Sequence, residues 1–305
     1  MRWLESLKYV LSVNPLETET KIRFAEPLSA HTTFGIGGPA EAWVSPGDYT
    51  QLSKVVRYCL SKSIPYLVVG RGSNILFSDR GFNGLVICLN SPNFSQIKVA
   101  TTMVSVGAGT PLNKLINQMQ KKSLSGLEFL SGIPASVGGA IVMNAGDAKK
   151  SIGSFVQSLI VMDRSGKIKL LKKGQLGLGY RRSGLDGCII LEALFKLAKQ
   201  RPATIQKNLT AALAKKQKTQ DLSARSAGCV FKNPQHRLSA AQMIEHCGLK
   251  SKTKGGAEIS AKHANYIINR DQASCQDVLY LLKLAQRKVK KHFGVRLEPE
   301  IRIVK

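Results

Sequence analysis

The tightest constraint on this chain is a pair of glycine-rich runs, GRGSN at 70–74 and GIPASVGG at 132–139. Closely spaced glycines let the backbone take positive φ, so successive N–H groups can converge on an anion and the chain can approach it closely. GRGSN follows YLVV (66–69), which reads as a short buried strand, and a turn at 79–84 leads into a second strand, LVICL (85–89). That order of strand, glycine loop, turn and strand differs from a dinucleotide-binding βαβ unit, in which the glycines open a helix. Ser73 and Asn74 add a hydroxyl and an amide suited to phosphate or ribose. GIPASVGG with MNAG (143–146) adds a second wall of small residues along which a flat ring system could lie. Alone, either run also fits an ordinary tight turn.

The segments around these runs predict an α+β chain. Asp48 caps a helix whose Leu52, Val55, Val56, Cys59 and Leu60 share one face. TTMVSVGAG (101–109) alternates as a strand, and Thr110-Pro111 starts a helix through Lys121. Residues 126–146 read as a loop, and strands follow at 156–163, 167–171 and 188–197. Pro202 starts a helix with Ile205, Leu209 and Leu213 spaced by four, and 214–226 reads as basic and poorly structured. Ser239 caps a short helix that stops at Gly248. Ser274 with Asp277 makes a capping box for a longer helix ending at Gly294. A last strand, 295–304, sets Glu298, Glu300 and Arg302 on one face. The expected division is an N-terminal extension (1–20), two cofactor-binding pieces (21–90 and 91–200) and a more basic domain (201–305).

Charge narrows the partners. The formal net charge is +26, and residues 201–305 hold 21 Lys and Arg against 7 Asp and Glu. Such a field favours anionic partners, either nucleic acid or phosphorylated small molecules. No helix-turn-helix, aromatic RNA-binding or zinc-finger pattern accompanies it, so nucleic acid is not expected. The six cysteines stand singly with no CxxC pair, which disfavours both a metal site and a disulfide scaffold. No apolar stretch is long enough to span a bilayer. Residues 1–13 begin like a signal peptide, but Glu5 and Lys8 interrupt it, and Trp3, Leu4, Leu7, Val10 and Leu11 fit one face of a short helix. The expectation is a cytoplasmic monomer.

Three distant segments offer a second group of reactive side chains: YRRS (180–183), SAGCVFKNP (226–234) and the last strand. They supply Tyr180, Arg181, Cys229, Lys232, Asn233, Glu300 and Arg302, which could provide an acid, a carboxylate and cations for an anionic substrate. Spacing alone fits blander roles equally: a core cysteine, a surface ion pair and a basic loop.

Taken in order, these strings resemble the UDP-N-acetylenolpyruvoylglucosamine reductase (MurB) family of bacterial cell-wall synthesis. The resemblance runs through HTTFGIGGPA (31–40), VVGRGSNILFSDRGFNGLVI (68–87), GLEFLSGIPASVGGAIVMNAG (126–146), LGYRRS (178–183), SAGCVFKNP (226–234), GLKSKTKGGAEISAKHANYIIN (248–269) and LEPEIRIV (297–304). It implies a vanillyl-alcohol-oxidase-type fold of two FAD-binding subdomains followed by a substrate-binding domain. The short separation of YRRS from SAGCVF implies the compact, type II subclass. It implies non-covalent FAD, NADPH as hydride donor, and reduction of UDP-N-acetylenolpyruvoylglucosamine to UDP-N-acetylmuramate for peptidoglycan synthesis. Hydride would reach C3 of the enolpyruvyl group and a side chain would protonate C2.

By the same resemblance Arg181 and Glu300 polarise the substrate carboxylate and Cys229 gives the proton. Tyr180, Lys232, Asn233 and Arg302 bind substrate. The cofactor is implied to lie against Gly70, Arg71, Gly72, Ser73 and Asn74, against Gly132, Ile133, Pro134, Ser136, Gly138 and Gly139, and against Asn144, Ala145 and Gly146. Three positions depart from the family pattern: Cys229 stands where serine is usual, Arg71 where glycine is usual, and 147–150 replace a small or aromatic run. Arg71 could reach a pyrophosphate or point to solvent. Two rivals remain from the residues: another FAD oxidoreductase of the same fold, and a non-enzymatic nucleic-acid-binding protein.

Overall fold

The computed structural model describes residues 3, 5–7, 20–147, 150–221 and 223–305. They form two compact units: residues up to Ala25 with Glu41–Gly70 and Asn83–Ala214, and Glu26–Ala40 with Arg71–Phe82 and Lys215–Lys305. The break inside the first glycine run, between Gly70 and Arg71, assigns its two ends to different units.

The first unit holds two sheets. One orders the strands Lys21–Pro27, Pro39–Ser45, Phe82–Ile87 and Tyr66–Val68, with Tyr66 parallel to Leu85. The other is antiparallel and orders Ile168–Lys172, Val156–Met162, Ile189–Lys196, Met103–Gly107 and Ile97–Ala100. The helix Tyr49–Ser61 is capped as expected, with Asp48 accepting the N–H of Gln51 at 2.8 Å. Its Leu52, Val55, Val56 and Cys59 are buried, but Leu60 is 59% exposed. A four-residue step drifts about 40° around a helix, so Leu60 falls off the edge of the stripe. The helix Leu112–Lys121 buries Leu112, Leu115, Ile116 and Met119 in the same core. The amphipathic helix expected over 1–13 lies mostly outside the described residues. Within them Leu7 is fully buried and the Tyr58 hydroxyl donates to the Trp3 carbonyl at 2.7 Å.

Two segments expected to be irregular are helical. Val137–Val142 forms a short helix within 126–146, its N-terminus capped by Ser136, and Val137, Ala140 and Ile141 are buried. Two glycines in its first turn conceal it from propensity, and tertiary packing overrides them. The helix from Pro202 continues to Thr219 rather than stopping near 213. Ile205 and Leu209 are buried while Leu213 is 38% exposed, so the buried stripe ends early. Ala, Leu, Lys and Gln carry the remaining turns as intrinsically strong helix formers.

The second unit is assembled from three pieces of sequence around one core, in which Phe34, Ile36 and Leu76 join Val230, Phe231, Met243, Ile267, Leu281 and Val289. An antiparallel sheet orders Arg225–Cys229, Tyr266–Asn269, Ala257–Ile259 and Thr253–Lys254. The helix Cys275–Phe293 packs against it, opened by the Ser274–Asp277 capping box and closed at Gly294. Asp79, from the segment after GRGSN, accepts the N–H of Cys275 at 2.7 Å, so two distant pieces share one helix terminus. The expected strand 295–304 is shorter, Arg302–Val304, and pairs in parallel with Ile75–Phe77. Residues 298–300, with Pro299 lacking an N–H, lie instead beside 230–232, where Phe231 bridges Pro299. Among the described residues no helix is long and apolar enough to cross a membrane.

Replacing Asp79 by alanine removes an acceptor at the start of the Cys275–Phe293 helix and is expected to lower stability by about 1 kcal/mol in urea denaturation. The outward residues Lys283, Arg287 and Lys291 of that helix are all exposed cations four apart. Substituting Arg287→Glu turns two like-charge neighbours into two opposite pairs. It is expected to raise stability by about 0.5 kcal/mol, an effect that fades in high salt.

Candidate active site

Each unit carries its own cluster of the residues singled out in the sequence. In the first unit the two glycine runs meet. A Cβ on Gly70 would stand 2.3 Å from the Ser136 hydroxyl, which caps the short helix by accepting the N–H of Gly139 at 3.2 Å. A side chain at 70 would therefore displace the cap. The first-turn amides of Val137 and Gly138 donate to the carbonyls of Thr110 and Ala108. These first-turn amides of the second run are thus taken by protein acceptors, and the run presents small residues there.

In the second unit the first run behaves differently. Among the described residues, no protein acceptor takes the N–H groups of Arg71, Gly72, Ser73 or Asn74. Gly72 holds φ +61°, and a Cβ there would come within 2.1 Å of the His31 carbonyl oxygen. The Gly72 carbonyl accepts the N–H of Thr33, and the Thr33 hydroxyl donates to the Ser226 carbonyl at 2.6 Å. The HTTFGIGG segment is thereby the brace of the loop. Successive unmatched amides in a tight loop are the donor set that a phosphate-bearing ligand requires. The Arg71 side chain is exposed.

A further orphan lies beside the second run. Thr110 is fully buried, and its hydroxyl has no hydrogen-bond partner among the described residues. Its neighbour Pro111 bridges Ser136. A buried hydroxyl without a partner is costly unless a ligand or water completes it. In the sequence Thr110-Pro111 marks a helix start, and nothing local marks the hydroxyl. Taken unit by unit, the unmatched amides of the second suit a diphosphate, and the buried Thr110 hydroxyl and the side-chain-free surface at Gly70 in the first suit the polar edge of a cofactor such as FAD.

The MNAG residues have protein partners of their own. Asn144 is buried, donates to the Gly179 carbonyl at 2.9 Å and accepts the N–H of Gly153 at 3.0 Å. The Gly146 carbonyl accepts from an Arg181 terminal nitrogen at 3.0 Å. Arg181 itself sits at φ +53°, a strained conformation for a residue with a side chain, and its guanidinium lies 5.4 Å from the centre of the Tyr180 ring. Strain of this kind persists only where neighbours over-determine it. Here Asn144 and Gly146 do so.

The remaining residues belong to the second unit. Cys229 is half-buried at the end of the Arg225–Cys229 strand, paired with Tyr266 just after a register shift. Beyond it the chain runs beside the last segment: Val230 accepts the N–H of Glu300 at 2.8 Å, and Lys232 donates its N–H to the Glu298 carbonyl at 2.9 Å. Asn74 then joins that segment to GRGSN. Its side chain donates to the Glu300 carbonyl at 3.1 Å and its own carbonyl accepts the N–H of Arg302 at 2.9 Å. Cys229, Glu300, Arg302 and the glycine loop are thus one hydrogen-bonded assembly. Lys232 pairs with Glu298 at 2.6 Å, and the Asn233 side chain accepts the N–H of Ala240 at 3.0 Å. Asn265, absent from the sequence reading, grips the Val230–Phe231 peptide. No local pattern marks it, because its partners lie 34 residues away.

Residues 40–172 match the model of an FAD binding domain, and 218–304 match the model of the UDP-N-acetylenolpyruvoylglucosamine reductase C-terminal domain. A curated reductase of that name from Clostridium botulinum (strain 657 / Type Ba4) is 38% identical over 97% of this chain and 96% of its own length. One from Clostridium tetani is 39% identical over 93% of this chain and 92% of its own. The crystal structure of the Thermus caldophilus enzyme superimposes with a TM-score of 0.80 at 32% identity, covering 94% of this chain and all of that one. The chain belongs to the UDP-N-acetylenolpyruvoylglucosamine reductase family.

Proposed function

We propose that this chain reduces UDP-N-acetylenolpyruvoylglucosamine to UDP-N-acetylmuramate, with Arg181, Cys229 and Glu300 as its catalytic residues. The observation that carries the assignment of residues is the assembly of Cys229, Glu300 and Arg302 on the loop GRGSN through Asn74. It ties the proton donor and the carboxylate to the loop whose amides suit a phosphate. FAD, when bound, would supply the two-electron chemistry that links NADPH to C3 of the enolpyruvyl group. The amides of Arg71–Asn74 in the second unit would hold its diphosphate; in the first, Gly70 and Ser136 would offer a surface without a protruding side chain.

The protein's own part is to stabilise the charge that develops at C2 and to end it with a proton. Arg181, pinned by Gly146, sets a guanidinium against the substrate carboxylate, and Glu300 polarises the same group. Charge delocalised from C2 into that carboxylate is then met by a fixed cation, which lowers the barrier without reorganisation. Cys229 gives its thiol proton to C2, completing addition of H⁻ and H⁺ across the double bond and leaving a thiolate that solvent reprotonates. Lys232, Asn233, Arg302 and Tyr180 bind substrate, the cations facing its anionic groups. The same reading makes the enzyme a cytoplasmic monomer.

The direct test is anaerobic. The purified protein should show a flavin spectrum, bleach with NADPH and recover its colour when UDP-N-acetylenolpyruvoylglucosamine is added; bleaching without recovery would point to another oxidant. Cys229→Ser, whose hydroxyl can also give a proton, should retain turnover. Cys229→Ala should lose at least about 100-fold in kcat. Full turnover after iodoacetamide has modified Cys229 would remove it from the mechanism.

A further inference from the structure

The backbone that carries Cys229 is not held by an ordinary ladder. Arg225 and Ser226 pair with Asn269 and Ile268, but the next pair is Cys229 with Tyr266, so Ala227 and Gly228 together oppose Ile267 alone. Gly228 takes φ +75° within this bulge. A bulge of this type re-aims the side chain that follows it and weakens the pairing around it. One residue before Tyr266 the neighbouring strand has ended, so regular pairing cannot fix the direction of the chain beyond Cys229.

Asn265 takes over at that point. It is 2% exposed. Its carbonyl accepts the N–H of Val230 at 2.9 Å. Its side-chain oxygen accepts the N–H of Phe231 at 3.0 Å, and its side-chain nitrogen donates to the Phe231 carbonyl at 2.8 Å. The amide therefore satisfies both backbone groups of one residue, as a partner strand would. Its own N–H donates to Nδ1 of His263 at 3.3 Å, which requires that nitrogen to be unprotonated, and burial holds the His263 pKa below its ordinary value. On the opposite side of the same chain Val230 accepts the N–H of Glu300, and Phe231 bridges Pro299.

From this arrangement we infer that Asn265 is a positioning residue for both Cys229 and Glu300, an inference that rests on the catalytic roles proposed above. Cys229 is one residue from the gripped peptide. Glu300 is one hydrogen bond from it. Asn265 does not touch the reacting atoms; it fixes the strand from which both side chains are aimed. Displacement of a catalytic group by about 1 Å can cost on the order of 100-fold in rate. Loss of the grip should accordingly slow the step that uses the proton donor and leave hydride transfer from NADPH intact.

A buried amide in the same sheet gives the control. Asn269 is also buried, donating to the Phe34 carbonyl at 2.9 Å and accepting the N–H of Ala273 at 2.9 Å, and it contacts neither Val230 nor Phe231. The experiment compares Asn265→Ala, Asn265→Asp and Asn269→Ala as holoenzymes by stopped flow, following reduction by NADPH and reoxidation by UDP-N-acetylenolpyruvoylglucosamine separately. Asn265→Ala is expected to keep its flavin, to be reduced within about 2-fold of the native rate, and to be reoxidised at least about 10-fold more slowly. Asn269→Ala should stay within about 2-fold in both. Asn265→Asp, which keeps the acceptor and loses the donor, should fall between native and alanine and serves if the alanine variant does not fold. Equal reoxidation rates in the Asn265 and Asn269 variants would overturn the inference. Cys229→Ala measured alongside separates the two layers. If it is reoxidised at the native rate, the catalytic reading has failed; if it is slow while both Asn265 variants are fast, only the positioning role has.

Discussion

The Arg302–Val304 strand lies parallel to Ile75–Phe77, and Asn74 closes the end of that pair with both its side chain and its carbonyl. Almost everything of functional interest in the second unit hangs from this junction. It fixes Glu300 and Arg302 relative to the loop GRGSN. Through the Glu300 N–H on Val230 it also reaches the strand that carries Cys229. Asn74 is therefore a structural tie, its side-chain nitrogen and its carbonyl both bonded to the last segment.

The two units solve the same physical problem with different parts. In each, a side chain needed in an unusual place is held by a buried asparagine that bonds to backbone. Asn144 holds the loop of Arg181 by the Gly179 carbonyl, and Asn265 holds the chain after Cys229 by both groups of Phe231. Asparagine suits this task because one short side chain presents a donor and an acceptor in a plane, as a peptide does. Buried without both partners it would be a liability, which makes the arrangement intolerant of slippage.

Much of the fold could be read locally. Asp48, Ser239 and the Ser274–Asp277 box mark their helix starts because capping is decided within four residues. The glycine runs and the antiparallel strands were legible for the same reason. Where a local signal misled, a non-local contact had overruled it: packing holds the Val137–Val142 helix despite its glycines, and pairing with 230–232 takes 298–300 out of the final strand. The site was legible only as an ordered set of strings. Nothing near Asn265, Thr110 or Asn74 reveals its partners, since those partners are set by tertiary packing. Asn144 and Gly146 read as a wall for a cofactor, and their hydrogen bonds to the YRRS loop show what else they hold.

The junction between Asn74 and Glu300 also bears on how the chain folds. Its partners are separated by 226 residues. Closing a loop of that length costs roughly 5 kcal/mol of chain entropy before any contact repays it. Most pairings of the first unit join segments much closer in sequence, such as Ile168–Lys172 with Val156–Met162. Long-range closure is slow, so the first unit should acquire its sheets early and the glycine loop should find its strand last. Until then the loop amides and the Arg302–Val304 strand stay open to wrong partners. A ligand that engages the loop only after that closure would act as a brake on its reopening, so cofactor supply becomes a determinant of how much active protein survives folding.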